Sequence, residues 1–271
     1  MSIKQTITFI GAGNMAKAMI GGIVSSGLAH PEQITASNPS APKLEALQQE
    51  FGIHTIQKDN AAAAAHADIV VLSVKPYLYE SVIEEIRDVV KPDAIVIMIA
   101  AGQTISANEA RFGKPIKLAR VMPNTPALVG EAMSAVCFNA AMTPADQDIV
   151  LQILNSFGKA EVVAESLMDT VTGVSGSSPA YVYMFIEAMA YAAVLHGMPR
   201  GQAYTFAAQS VLGSAKMVLE TGMHPGALKD NVCSPGGTTI EAVAALESSG
   251  MRAAVIDAID VCVKKSKAMS K

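Results

Sequence analysis

The chain has 271 residues, enough for one large or two modest domains; it is 51% hydrophobic, only 16% charged, lacks Trp, and carries a formal net charge of −4. That balance offers no basic footprint for nucleic acid, no uninterrupted apolar run reads as a membrane span, and the N-terminus shows no signal-peptide pattern. Cys137, Cys233 and Cys262 are odd in number, widely separated and without metal-ligand spacing, so they read as free thiols of a reducing cytoplasm, while the excess of apolar residues points to an oligomer.

In chain order, residues 6–10 read as a short apolar strand, followed by the glycine turn Gly11-Ala12-Gly13-Asn14-Met15-Ala16 and a helix closed near Gly27. Gly11 permits the tight turn, Gly13 permits close approach of a pyrophosphate, and Ala16 is small enough for helix to pack on strand; together these read as the dinucleotide fingerprint, the alternative being an ordinary tight strand-to-helix turn. A second strand ends at Ser37-Asn38, where an NAD-preferring site usually has Asp or Glu. A hydroxyl and an amide can instead donate to a 2′-phosphate, which favours NADP, with Lys43 the nearest cation; the alternative is that both residues simply begin a turn with Pro39. Residues 41–51 form a helix capped by Gly52, and 54–56 a third strand; Asn60 either caps the alanine-rich helix after it or faces the adenosine. Residues 69–74 and 94–99 are near-continuous apolar runs, as in parallel strands buried on both faces. They end in Lys75-Pro76 and in Ala100-Ala101-Gly102, where ligands of open parallel sheets lie; spacing alone reads Lys75 as a solvated loop residue. Residues 117–121 and 132–138 are further strands, the latter read as the last of the sheet, and Thr143-Pro144 opens a helix as N-cap and first residue. Alternation up to about 164 predicts a doubly wound α/β (Rossmann) domain over 1–164.

From 165 to 271 the pattern is all helical, a dimerisation and substrate domain. The helix over 181–195 is apolar around much of its circumference, which predicts central burial against a copy in a second subunit. Two stretches stand out: residues 172–181, rich in Gly and Ser, and residues 231–241, where Ser234-Pro235-Gly236-Gly237 runs into a helix starting Thr238-Thr239. The free N–H groups of Gly237, Thr238 and Thr239 suit a carboxylate; a capped helix start with nothing bound explains them equally well.

The set of motifs 9–16, Val74-Lys75-Pro76, Val121-Met122-Pro123-Asn124-Thr125-Pro126, 175–181 and 230–239 resembles the pyrroline-5-carboxylate reductase family along essentially the full length. The resemblance implies reduction of the ring C=N of pyrroline-5-carboxylate to L-proline by NADPH, with NADH possible, in a homodimer built into a larger ring. It implies that Gly11, Ala12, Gly13, Asn14 and Met15 hold the pyrophosphate, Ser37 and Asn38 the 2′-phosphate, and Asn60 the adenosine. Ser73, Val74, Lys75, Pro76, Ala100, Ala101 and Gly102 then line the cofactor path, reached by Asn231. Ser234, Gly237, Thr238 and Thr239 would grip the substrate, with Glu165 near its ring nitrogen and Thr239 as the catalytic proton-handling group. Ser178 stands where the family usually has Gly. A hydroxyacid dehydrogenase of the same plan needs a lysine on the long helix, and residues 172–215 contain none; a non-catalytic NADP-binding regulator is the other alternative.

Overall fold

The computed structural model describes residues 2–269. Its chain alternates β1 (Ile7–Ile10), α1 (Asn14–Ser25), β2 (Ile34–Asn38), α2 (Ala41–Phe51), β3 (His54–Gln57), α3 (Asn60–Ala64), β4 (Ile69–Leu72), α4 (Tyr79–Ile86), β5 (Ile95–Met98), α5 (Ile105–Phe112), β6 (Lys117–Met122), β7 (Ala132–Phe138), α6 (Pro144–Asn155) and β8 (Gly158–Val162). The strands form one 8-stranded sheet in the order β3-β2-β1-β4-β5-β6-β7-β8. β1 to β6 run parallel; β7 is antiparallel to β6, and β8 is parallel to β7. β7 is therefore not the last strand, as its sequence suggested: Gly158–Val162 adds an edge beyond it, half-buried to exposed and so without an apolar run to announce it. α5 is a second addition, capped by Thr104, whose hydroxyl accepts from Ala107 N, and ended by Gly113 at φ 63°.

Why the sheet is central follows from its side chains. β1, β4 and β5 are buried at every position. Alternate residues feed two separate cores, one with Phe9, Val71 and Ile97 under α1, α2 and α6, the other with Ile10, Val70 and Met98 under α3, α4 and α5. Each fully enclosed Ile, Leu or Val adds about 1.5–3 kcal/mol, so removing either helical layer would expose the sheet at large cost. Thr143 and Asp146 close a capping box at the start of α6.

After β8 come α7 (Met168–Val171), a π-helical turn over Thr172–Gly176, α8 (Ser178–Leu195), α9 (Arg200–Thr221), α10 (Pro225–Val232), α11 (Thr238–Ser248) and α12 (Met251–Met269). By contacts the chain forms two compact units, Met1–Ser177 with Cys262–Lys271, and Ser178–Val261. Residues 165–177 thus belong to the unit that holds the sheet, although the composition changes from Leu167 onward. In the first unit the end of α12 is fastened by Ser266 Oγ, which donates to Asp169 Oδ1 at 2.6 Å, and by Cys262 Sγ, which donates to Ser177 Oγ at 3.3 Å.

In the second unit only Ala190, Ala203 and Ala207 are buried apolar side chains, between α8 and α9. Tyr183, Met184 and Leu195 of α8 are 60%, 70% and 86% exposed. The helical segment Glu165–Leu195 is long and apolar enough to cross a membrane by length and composition, although Asp169 and Glu187 interrupt its apolar residues. The three cysteines are free.

Candidate functional site

The carboxyl ends of β1, β2 and β4 are tied together around Gly11. Its N–H donates to Ser37 O at 2.8 Å, and Ser73 Oγ donates to Ile10 O and Gly11 O at 3.0 and 2.8 Å. Gly11 sits at φ +107°, and a Cβ there would lie 2.7 Å from Ser73 O, so both conformation and space demand glycine. A Cβ at Gly13, by contrast, would meet nothing within 4 Å. Gly13 is the N-cap of α1 with no side chain covering the helix start, so the first N–H groups of a twelve-residue helix open onto free space. Those are the requirements of a pyrophosphate cradle, and the residues present fit the phosphates of a dinucleotide. Asn14 is exposed, Met15 half-buried and Ala12 buried, the last donating to Asn38 Oδ1 at 3.3 Å.

Ser37 is a correction. It is fully buried, and its hydroxyl donates to Asn60 Oδ1 at 2.7 Å, so it is not presented to a 2′-phosphate. The cause is its place on β2: it precedes Asn38 and faces α3, while Asn38 ends the strand half-buried. Asn60 does not cap α3 either; Asp59 does, accepting from Ala62 N at 2.8 Å, and Asn60 Nδ2 donates to Glu85 Oε2. β2 still ends without a carboxylate that would repel a 2′-phosphate.

Lys75 is exposed at the start of a 3₁₀ turn, with Val74 and Pro76 half-buried beside it; Ala100, Ala101 and Gly102 are half-buried after β5. Glu165 belongs to this first unit. Its Oε1 accepts from Ile105 N at 2.8 Å and from Arg120 Nη1 at 2.9 Å, joining the first amide of α5 to a guanidinium that is 5% exposed. Across the β6–β7 ladder from Arg120, Cys137 has its thiol pKa pushed up to about 11, by burial and then by the Glu165 charge, so it stays a thiol.

The second unit carries the other residues. Gly236 turns the chain at φ +65°, and Gly237, at φ −82° and ψ 168°, is the N-cap of α11 with no side-chain cap. Gly237 N donates to Ser234 O at 3.0 Å, and a Cβ on Gly237 would collide with Ser234 Oγ. The turn thus brings Ser234, Gly237, Thr238 and Thr239 to one helix tip. Thr238 is exposed and Thr239 half-buried; Asn231, near the end of α10, is exposed. Ser178 begins α8 one residue after the π-helical turn, half-buried.

Residues 165–269 match the family model for pyrroline-5-carboxylate reductase dimerisation, and residues 6–102 match the model for NADP oxidoreductase, coenzyme F420-dependent. The chain is 54% identical to a pyrroline-5-carboxylate reductase of Escherichia coli (strain K12) over 269 residues, 99% of this chain and 100% of that one. The chain belongs to the pyrroline-5-carboxylate reductase family. It is an oxidoreductase with an NADP-binding half and a dimerisation half. Among solved structures, the Coxiella burnetii reductase superposes with a TM-score of 0.92 at 35% identity, covering 99% of this chain and 100% of that one. The Plasmodium falciparum reductase with NADP bound gives 0.91 at 32% identity, covering 100% of both chains. Within the family frame, sequence reasoning missed Arg120 as the partner of Glu165; nothing in the pattern of β6 marks a buried cation, and only the pairing to Glu165 explains its place.

Proposed function

We propose that this oxidoreductase reduces the C=N bond of 1-pyrroline-5-carboxylate to L-proline with NADPH, the last step of proline biosynthesis, as a cytoplasmic homodimer assembled through its helical half into a larger ring. The division of labour is a nucleotide-binding part over 1–164 and a dimerisation and substrate part over 165–271. The observation that carries the reading is the uncapped tip of α11 beside the turn Ser234–Gly237, in a chain whose β1–α1 turn is a pyrophosphate cradle. Bound NADPH supplies the hydride that adds to the imine carbon. Gly11 to Met15 hold the pyrophosphate, Asn38 approaches the 2′-phosphate, Asn60 supports the adenosine side, and Ser73 to Pro76, Ala100 to Gly102 and Asn231 line the path.

At the substrate, the N–H groups of Gly237 and Thr238 hold the carboxylate, aided by the positive end of α11 and by Ser234. The ring nitrogen takes up a proton first, relayed from solvent through the Thr239 hydroxyl that hydrogen-bonds it. The resulting cationic iminium, stabilised by Glu165 from its side, becomes the neutral amine when hydride adds to its carbon. No strong general base is required, and the long helix α8 holds no lysine that could serve an alcohol substrate.

The test follows NADPH absorbance with pyrroline-5-carboxylate, against small hydroxyacids and ketoacids as controls. Imine-dependent NADPH consumption with proline formed in equal amount is expected. Turnover only with the hydroxyacid or ketoacid would put the chain among dehydrogenases of the same plan. Binding of NADPH with no turnover of any of them would make it a regulator.

A further inference from the structure

The loops that leave β4 and β5 are joined by a side chain that no motif singles out. Tyr79, the first residue of α4, is fully buried, and its hydroxyl reaches the carboxyl ends of both strands. It donates to Leu72 O at 2.8 Å and accepts from Ile99 N and Ala100 N at 3.2 and 3.1 Å. The ladder's own bond at that step, Ile99 N to Leu72 O, is stretched to 3.5 Å, the outer limit of a hydrogen bond. The hydroxyl therefore stands in for a ladder bond where the two strands part. Its one proton and both lone pairs are used, and burial pushes its pKa up, so it remains a donor. A second tie comes from Gln103, 8% exposed, whose Nε2 donates to Pro76 O at 3.4 Å while its Oε1 is held by Arg111 Nη1 at 2.7 Å.

We propose that Tyr79, assisted by Gln103, is a positioning residue for the nicotinamide cofactor: it fixes the separation of Ser73–Pro76 from Ala100–Gly102 and thereby sets cofactor affinity. This rests on the reading that those two segments line the NADPH path. In Tyr79→Phe, one carbonyl and two N–H groups lose their shared partner, and the stretched ladder bond is left to close the gap. The wrong spacing then reaches both loops at once.

The experiment uses the full chain with Tyr79→Phe and, separately, Gln103→Met. NADPH binding is read from nucleotide fluorescence, and binding of 2′-phospho-ADP-ribose, which lacks the nicotinamide, by calorimetry. In Tyr79→Phe the Kd for NADPH is expected to rise about tenfold, the scale of one lost hydrogen bond. Gln103→Met should raise it about threefold, and the affinity for 2′-phospho-ADP-ribose should stay within about twofold in both variants. KM for NADPH should rise more than kcat falls. An unchanged NADPH Kd in folded Tyr79→Phe overturns the proposal, as does an equal loss for both ligands, which signals general damage. Should Tyr79→Phe fail to fold, an unchanged Kd in Gln103→Met overturns it instead. Absence of imine reduction by the unsubstituted chain would refute the activity and leave this proposal to be judged on the binding data.

Discussion

In the first compact unit, Ile7, Val71, Ile97 and Phe157 are enclosed entirely by their own chain; in the second, three alanines are enclosed, while Tyr183, Met184, Phe206 and Leu212 face solvent. Both regions are rich in apolar residues, so composition alone does not separate them. The difference is periodicity: strands and amphipathic helices sort their apolar side chains to one place, whereas α8 displays them around its circumference. A helix of that kind is complete only against another surface, and the match to a dimerisation family over residues 165–269 supplies one. A large exposed apolar face on a single chain of this family is the mark of an interface to be completed by another chain.

The contrast can be broken from either side. The largest effect is expected from Met184→Asp, which places a charge on the exposed apolar face of α8. The dimer dissociation constant should rise by about a thousandfold, the scale of burying an unpaired charge, as read by sedimentation in a dilution series. NADPH binding by the first unit should survive. Gly11→Val is the mirror image: with φ +107° and Ser73 O 2.7 Å from a Cβ, it should weaken NADPH binding by about a hundredfold or more and leave the oligomer intact. Thr239→Ala, at the tip of α11, should lower kcat/KM for the imine about thirtyfold with the NADPH Kd unchanged, separating the two units functionally. If turnover and imine affinity stay as they were, Thr239 does not handle the proton.

The smallest effect lies in acid. Partial burial works to raise the pKa of Asp146, but hydrogen bonds from Thr143 and Lys117 outweigh it and hold the carboxyl below the usual carboxylate range. A carboxyl depressed on folding stabilises above its unfolded pKa, and that contribution is lost as pH falls through the folded one. Thermal midpoints of the unsubstituted chain should therefore drop on going below about pH 4, and Asp146→Asn should flatten that limb slightly.

Much of this architecture was legible from residues alone, because β1, β4 and β5 are buried on both faces and therefore uninterrupted in sequence. The turn at Gly11 and the tip at Gly237 were legible for another reason: no other residue fits the first, and few fit the second. β8 escaped because an exposed edge strand needs no apolar run. α5 carried readable signals in Thr104 and Gly113, but sits between two stronger strands. Ser37 was misjudged because a strand-end position does not say which face a hydroxyl takes; burial and Asn60 decide it. Tyr79 and Arg120 were invisible, since their partners lie on elements far along the chain and only folding brings them to Ala100 and Glu165.

The final turns of α12 bear on how the molecule is made. Ser266 and Cys262 complete the neighbourhood of Asp169 and Ser177, yet they are translated after the whole of Ser178–Val261. A nascent nucleotide-binding half leaving the ribosome therefore lacks one of its own pieces until α12 has been made, and the helical half must emerge before its predecessor can be finished.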